Sequence, residues 1–362
     1  MRAFIGILFC LLFTYLSAQE IQVPVDTTTK KVNIVAFPIV FYLPQTSLGL
    51  GVGGITTFRL KNEPLISRPS SVQFGAAYTF NKQLLLYLPF EIYKNNEKWK
   101  IFGEIGYYAY FYYFYGKGSR TLLENQETYD VVYPRFRLDV LKRFRQHYFV
   151  GFNYWFDNFN IKSVENGGLL DQQRFTGVKG GPVSGIGVTL QYDSRNYLFH
   201  PSKGAFVDYR LRQFHSVIGS SYNYTRSFLN INYYKGFDDL DVLAFNITTQ
   251  NMFGDVPFFD YAYVGSPQTL RGYNDRRFTD ENLVAFQVEY RKNIWRRVGG
   301  VIGLSTGTVY SKFNELPKSA LLSSAVIGAR YMLSRKERLR IRLDYGITTE
   351  GGNVYLTVNE AF

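Results

Sequence analysis

Arg338-Leu339-Arg340-Ile341-Arg342-Leu343-Asp344-Tyr345 alternates without a break. In an extended chain successive side chains point to opposite faces. Leu339, Ile341, Leu343 and Tyr345 then share one face, and Arg338, Arg340, Arg342 and Asp344 share the other. A soluble sheet would bury the apolar face and wet the charged one; a membrane barrel does the reverse, with lipid outside and a polar lumen that solvates the charges.

The same split recurs along the chain. Phe136, Leu138 and Val140 oppose Arg135, Arg137 and Asp139; Asp208, Arg210 and Arg212 share one face of 206–212; Gln287, Glu289 and Arg291 share one face of 283–291. This repetition, together with an exported N-terminus and a C-terminal aromatic, favours the membrane reading. Met1-Arg2-Ala3, an apolar run from Phe4 to Leu16 and Ser17-Ala18-Gln19 form the charged start, short apolar core and small-residue exit of a secretory signal peptide. We therefore expect a cleaved leader over 1–18, a short periplasmic tail over 19–32, and a barrel over 33–362 in the bacterial outer membrane.

Composition agrees with this. The 30 Tyr, 32 Phe and 32 Gly are spread over alternating segments separated by Gly, Pro, Asn and charged turns, without helical periodicity. Marking turns at those clusters gives strands over 33–43, 46–60, 71–80, 83–93, 98–110, 128–144, 146–159, 182–193, 203–214, 220–235, 240–252, 283–294, 298–310, 322–334, 338–347 and 353–361. The expected fold class is thus all-β, a transmembrane antiparallel β-barrel of roughly sixteen strands, an even count that returns both ends to the periplasmic side. Most long connections, 111–127, 160–181, 253–282 and 311–321, then fall on the extracellular side.

The net charge of +12 fits lumenal arginines and an outer surface facing phosphate-rich lipid. Its basic residues are scattered through strands rather than clustered as in a nucleic-acid site, and export removes that partner. Cys10, the single cysteine, lies in the leader, which leaves the exported chain without thiol or disulfide chemistry. His147 at a turn, His200 before Pro201 and His215 at a strand end lack any catalytic setting in the sequence. No metal spacing and no phosphate-cradling loop is present, so neither enzymatic activity nor a cofactor is expected.

Val264-Gly265-Ser266-Pro267-Gln268-Thr269-Leu270-Arg271-Gly272-Tyr273, followed by the strand Leu283 to Arg291, resembles the inward-folded loop and next strand of the BamA/TamA-type outer-membrane assembly and secretion barrels, the bacterial surface-antigen superfamily. Leu43 to Gly51, Tyr113 to Gly118, Asp193 to Asn196 with Pro201 to Gly204, Gly328 to Arg330, Arg342 to Gly346 and Val354 to Phe362 resemble further family stretches in the same order. The resemblance implies a long extracellular loop folded into the lumen. Its Arg271-Gly272-Tyr273 tip is locked to an inner-wall carboxylate, for which strand parity offers Glu289 and Asp344. Many relatives place an aspartate two residues before a glycine on the following strand, where this chain has Ser305. Phe362, with Val358 and Leu356 on the same parity, matches the terminal signal that the assembly machinery reads.

The resemblance further implies a weakly closed first-to-last seam, where substrates engage by strand addition, and partners among outer-membrane lipid and lipopolysaccharide, nascent outer-membrane proteins or a periplasmic protein. Gly49, Gly51, Gly53 and Gly54 suit either a weakened early strand or a barrel corner. Members that handle clients usually carry soluble periplasmic repeats, for which residues 19–32 leave no room. The functional expectation is assistance in protein insertion or translocation; the alternative is a passive channel or a structural barrel subunit of an envelope complex.

Overall fold

The computed structural model describes residues 32–43, 47–64, 67, 69–172, 174–197, 199–238, 240–266, 268–334, 338–358 and 360–362. The leader and nearly all of the tail lie outside the described residues.

The wall begins with β1 (Val32–Leu43), β2 (Ser47–Phe58), β3 (Ser70–Thr79), β4 (Leu84–Lys94), β5 (Trp99–Phe114) and β6 (Glu127–Arg145). It continues with β7 (Tyr148–Val164), β8 (Gly181–Asp193), β9 (Lys203–Phe214), β10 (Tyr224–Gly236) and β11 (Val242–Gly254). A long connection carrying the small hairpin β12 (Ala262–Val264) and β13 (Phe278–Asp280) precedes β14 (Asn282–Trp295), β15 (Val298–Tyr310), β16 (Leu322–Ser334), β17 (Leu339–Thr348) and β18 (Gly351–Val358).

All strands but β12 and β13 form one antiparallel sheet of sixteen in chain order, with β11 pairing directly to β14. Its edges are β1 and β18, and among the described residues no ladder joins them.

The sheet is apolar outside and charged inside. Phe152, Ile302 and Leu304 are 69%, 60% and 64% exposed, while Arg291, Glu289 and Asp344 are buried. Only lipid makes that inversion stable. Beyond the expected boundaries, β5 continues to Phe114 and β7 to Val164, because Phe111 still pairs with Asp130 and Tyr129 with Val164 above the apolar belt. The four glycines of the early strand lie in β2, where a Cβ on Gly51 would stand 2.3 Å from the Ala76 carbonyl oxygen of β3. Close approach of the neighbouring strand therefore accounts for that position.

Both described chain ends lie at one rim, together with two-residue turns such as 146–147 and 296–297. Connections 115–126, 165–180, 255–281 and 311–321 crowd the other rim. Inside that rim Phe114, Tyr129, Phe159, Phe258, Phe259 and Phe278 join one buried aromatic core, filling the lumen with side chains from both wall and loop.

Candidate functional site

The connection 255–281 turns inward over this core. Phe258 and Phe259 pack edge-on to each other, and Phe259 stacks on Phe159 of β7 at 4.2 Å between centroids. From the hairpin the chain descends to Leu270 (φ 50°) and Gly272 (φ 116°), both left-handed, which reverses it at the tip. Gly346 of β17 makes room for the tip: a Cβ there would lie 2.5 Å from the carbonyl of Arg271. The main chain is held by Gly272 N–H donating to Tyr355 Oη (2.9 Å) and Asn353 Nδ2 donating to Gly272 O (2.8 Å). Tyr273 Oη donates to Ser323 O (3.2 Å).

Arg271 is fully buried. One terminal nitrogen donates to Asp344 Oδ2 of β17 at 2.5 Å and the other donates to Glu289 Oε1 of β14. The structure thus brings both carboxylates named from parity to the same guanidinium, one to each fork, rather than a single bidentate partner. Ser305 does not reach Arg271; its hydroxyl lies 3.3 Å from Gln287 Oε1, and Gln287 Nε2 donates to Gln268 O of the loop at 2.5 Å.

Each carboxylate also has wall partners. Asp344 Oδ1 accepts from Arg330 at 2.5 Å and its Oδ2 lies 3.3 Å from Arg342 Nη1, while Glu289 Oε2 accepts from Arg291 Nε at 2.8 Å. Arg330 Nε donates in turn to Glu360 at 2.9 Å.

The C-terminal residues leave the wall. Beyond β18 the chain folds inward, with Glu360 buried against Arg330 and 3.2 Å from His200 Nδ1. Phe362 packs on Tyr234, Val242 and Ala244, its ring 5.0 Å below the Arg291 guanidinium, and its carbonyl oxygen accepts from Arg291 Nη2 at 2.9 Å. Glu360 shares the parity of the lipid-facing row, and a carboxylate there would be desolvated without a partner, so the chain turns to the lumenal arginines. The side chains of Leu356 and Val358 lie outside the described residues.

The three histidines have structural contacts. His147 Nδ1 is 2.8 Å from Asp193 O, His215 Nδ1 accepts from Val217 N–H at 3.1 Å, and His200 Nε2 is 3.1 Å from Leu240 O.

Arg277 was missed by sequence reasoning. Its side chain is buried, grips Glu350 through Nε (2.8 Å) and Nη2 (2.7 Å), and donates to Thr121 Oγ1 at 2.9 Å. Nearby, Gly118 N–H donates to Thr279 O at 2.8 Å. The loop is thereby fixed at its outer end as well as at its tip. Two consecutive arginines, Arg276 and Arg277, flanked by acidic residues were the available signal.

A sixteen-stranded, lipid-faced wall with an extracellular-type loop pinned inside it by a buried arginine defines an outer-membrane barrel of the assembly and secretion class. A model of the Omp85 superfamily domain matches residues 123–353, and the chain belongs to the Omp85 superfamily. Its barrels are assembly and secretion proteins, not enzymes. The chain is similar to the solved BamA of Haemophilus ducreyi lacking POTRA domains 1–3, at 14% identity and TM-score 0.59 over 90% of this chain and 69% of that one. It is also similar to CdiB from Acinetobacter baumannii (13%, TM-score 0.56, 91% and 60%) and CdiB from Escherichia coli (10%, TM-score 0.58, 90% and 62%). At these identities the shared property is the fold, and the chain spans about three fifths of the two CdiB chains. No curated protein sequence matches.

Proposed function

We propose that this protein assists the insertion or translocation of other proteins at the outer membrane, with residues 1–18 as its leader, 19–32 as a periplasmic tail and 33–362 as its working barrel. The loop of 255–281 is its internal lock. The observation that carries this reading is Arg271, held between Glu289 of β14 and Asp344 of β17 in a barrel of this superfamily. Two strands near the C-terminal edge of the sheet are tied to one loop tip, so movement of the tip is coupled to the wall beside the β1 and β18 edges, where an incoming strand would add by main-chain hydrogen bonding. The aromatic core under the loop rim works against an open pore.

The test is reconstitution of the full chain into liposomes with an unfolded test barrel protein. Accelerated insertion of the test protein, lost in Arg271→Ala, is the expected result. Steady solute conductance with no effect on insertion would overturn the proposal in favour of a passive channel.

A further inference from the structure

The positive charge is not concentrated where the long loops lie: the eight connections at that rim carry ten Lys/Arg and ten Asp/Glu. At the opposite rim the lipid-facing rows of five strands run into a lysine. On β4 the outward row Leu86, Leu88, Phe90, Ile92 ends at Lys94; on β6 Phe136, Leu138, Val140 lead to Lys142; Tyr209, Val207 and Ala205 of β9 lead to Lys203; Ile231 and Tyr233 of β10 lead to Lys235; Val288 and Tyr290 of β14 lead to Lys292. All five lysines are exposed. At the loop rim, outward strand positions carry Lys162 and Asp130, which are opposite in sign.

Four of the five stand in two pairs in space. Lys203 stands directly opposite Lys235 in the β9–β10 ladder, an arrangement that like charges disfavour. Lys94 and Lys142 both stand opposite Trp99, from β4 and β6, with Lys142 Nζ 5.4 Å from the indole centroid. Among the described residues no carboxylate lies within ion-pair distance of these lysines. Two described carboxylates of the neighbouring β10–β11 turn hold backbone amides: Asp238 accepts from Leu240 and Asp241 N–H at 2.7 and 2.6 Å, and Asp241 accepts from Asn293 N–H at 2.8 Å. Exposed Phe144, Phe237 and Trp295 mark the same level as the membrane interface.

We propose that this collar is a docking surface for anionic phospholipids, with one phosphodiester seated between Lys203 and Lys235 and another over Trp99 between Lys94 and Lys142. Long lysine stems follow the apolar row and place the ammonium at headgroup depth. A soluble acidic partner would have to enter the bilayer to reach these strand positions, whereas a lipid phosphate is already there. The leaflet is the periplasmic one, a placement that rests on the orientation adopted in the function proposal. The ligand chemistry does not depend on it.

Two of the three tryptophans, Trp99 and Trp295, lie in the collar, while Trp155 is held in the lumen between Arg137 and Arg212 at 3.7 and 3.5 Å. Brominated lipids therefore read the collar directly. The full-length barrel in vesicles of phosphatidylcholine is titrated with brominated phosphatidylglycerol or, separately, brominated phosphatidylcholine, and tryptophan quenching gives the relative association constant. Preference for the anionic lipid of about fivefold per engaged lysine is expected. It should weaken with salt, fall close to one in the combined Lys94→Gln, Lys142→Gln, Lys203→Gln, Lys235→Gln variant, and persist when the same four become arginine. Variants are compared only after the heat-dependent gel shift of a folded barrel is seen, and single pairs replace the quadruple variant if it fails to fold. No anionic preference in the wild type, or a preference unaltered by glutamine, overturns the proposal. So does binding of soluble polyglutamate that glutamine abolishes while lipid preference is untouched. Insertion activity does not enter this measurement, so failure of the function proposal would register separately.

Discussion

Arg271→Ala should open the loop tip and spare the barrel. The substitution removes two charge-assisted hydrogen bonds, to Asp344 and Glu289, each worth about 1.5–3 kcal/mol. The usual penalty for breaking a buried pair, about 3–5 kcal/mol, arises from the charge left unpaired. Here Asp344 keeps Arg330 and Arg342, and Glu289 keeps Arg291, so that penalty does not fall on the wall. Five buried arginines against Glu289, Asp344 and Glu360 also means that losing one relieves repulsion. A net of about 2–4 kcal/mol remains, which raises tip opening by about 30- to 1,000-fold. Hydrogen exchange read by mass spectrometry should show this acceleration over Leu270–Asn274. The outer part of the loop, held by Arg277–Glu350 and Gly118–Thr279, and the wall amides of β14 and β17 should keep wild-type rates. Tip exchange within threefold of wild type would refute the docking role. Loss of protection in β14 and β17 would show that the arginine supports the wall instead. Asp344→Asn is the more disruptive partner change, because it deprives Arg330 and Arg342 as well.

Gly346→Ala should displace the same tip by sterics alone, at a cost of about 1–3 kcal/mol, and should add little to Arg271→Ala in a double-mutant cycle; full additivity would mean that the two do not act on one docking event. Phe362→Ser removes a ring packed on Tyr234, Val242 and Ala244 and should reduce the heat-shiftable, assembled fraction relative to total chain on immunoblots; an unchanged fraction would make the ending incidental.

Strand faces were legible because lipid outside and a polar lumen inside force an alternation that no helix keeps, and Leu339 to Tyr345 carries it in seven residues. The Arg271 tip was legible from its glycine and from the family stretch around it, and parity placed Glu289 and Asp344 inward. Parity gives a face but no partner. That Arg330, Arg342 and Arg271 all meet Asp344 depends on the stagger of β16, β17 and the loop, which no local pattern encodes. The hairpin β12–β13, three residues a strand, is too short to show alternation. Parity grouped Phe362 with Leu356 and Val358 but could not show that the chain beyond β18 turns to the lumenal arginines, although the carboxylate of Glu360 on that row was a sign that the strand had ended.

Since the wall carboxylates stay compensated without it, the loop tip acts toward its own barrel as a tethered peptide ligand. A segment of this length anchored at both ends holds its recognition residues at an effective concentration of order millimolar. Free peptides carrying the Leu270–Tyr273 sequence must reach that range to compete for the socket, whereas under the proposed function a client chain engaged at the neighbouring strands would share the tethering advantage and compete with the tip whatever its bulk concentration.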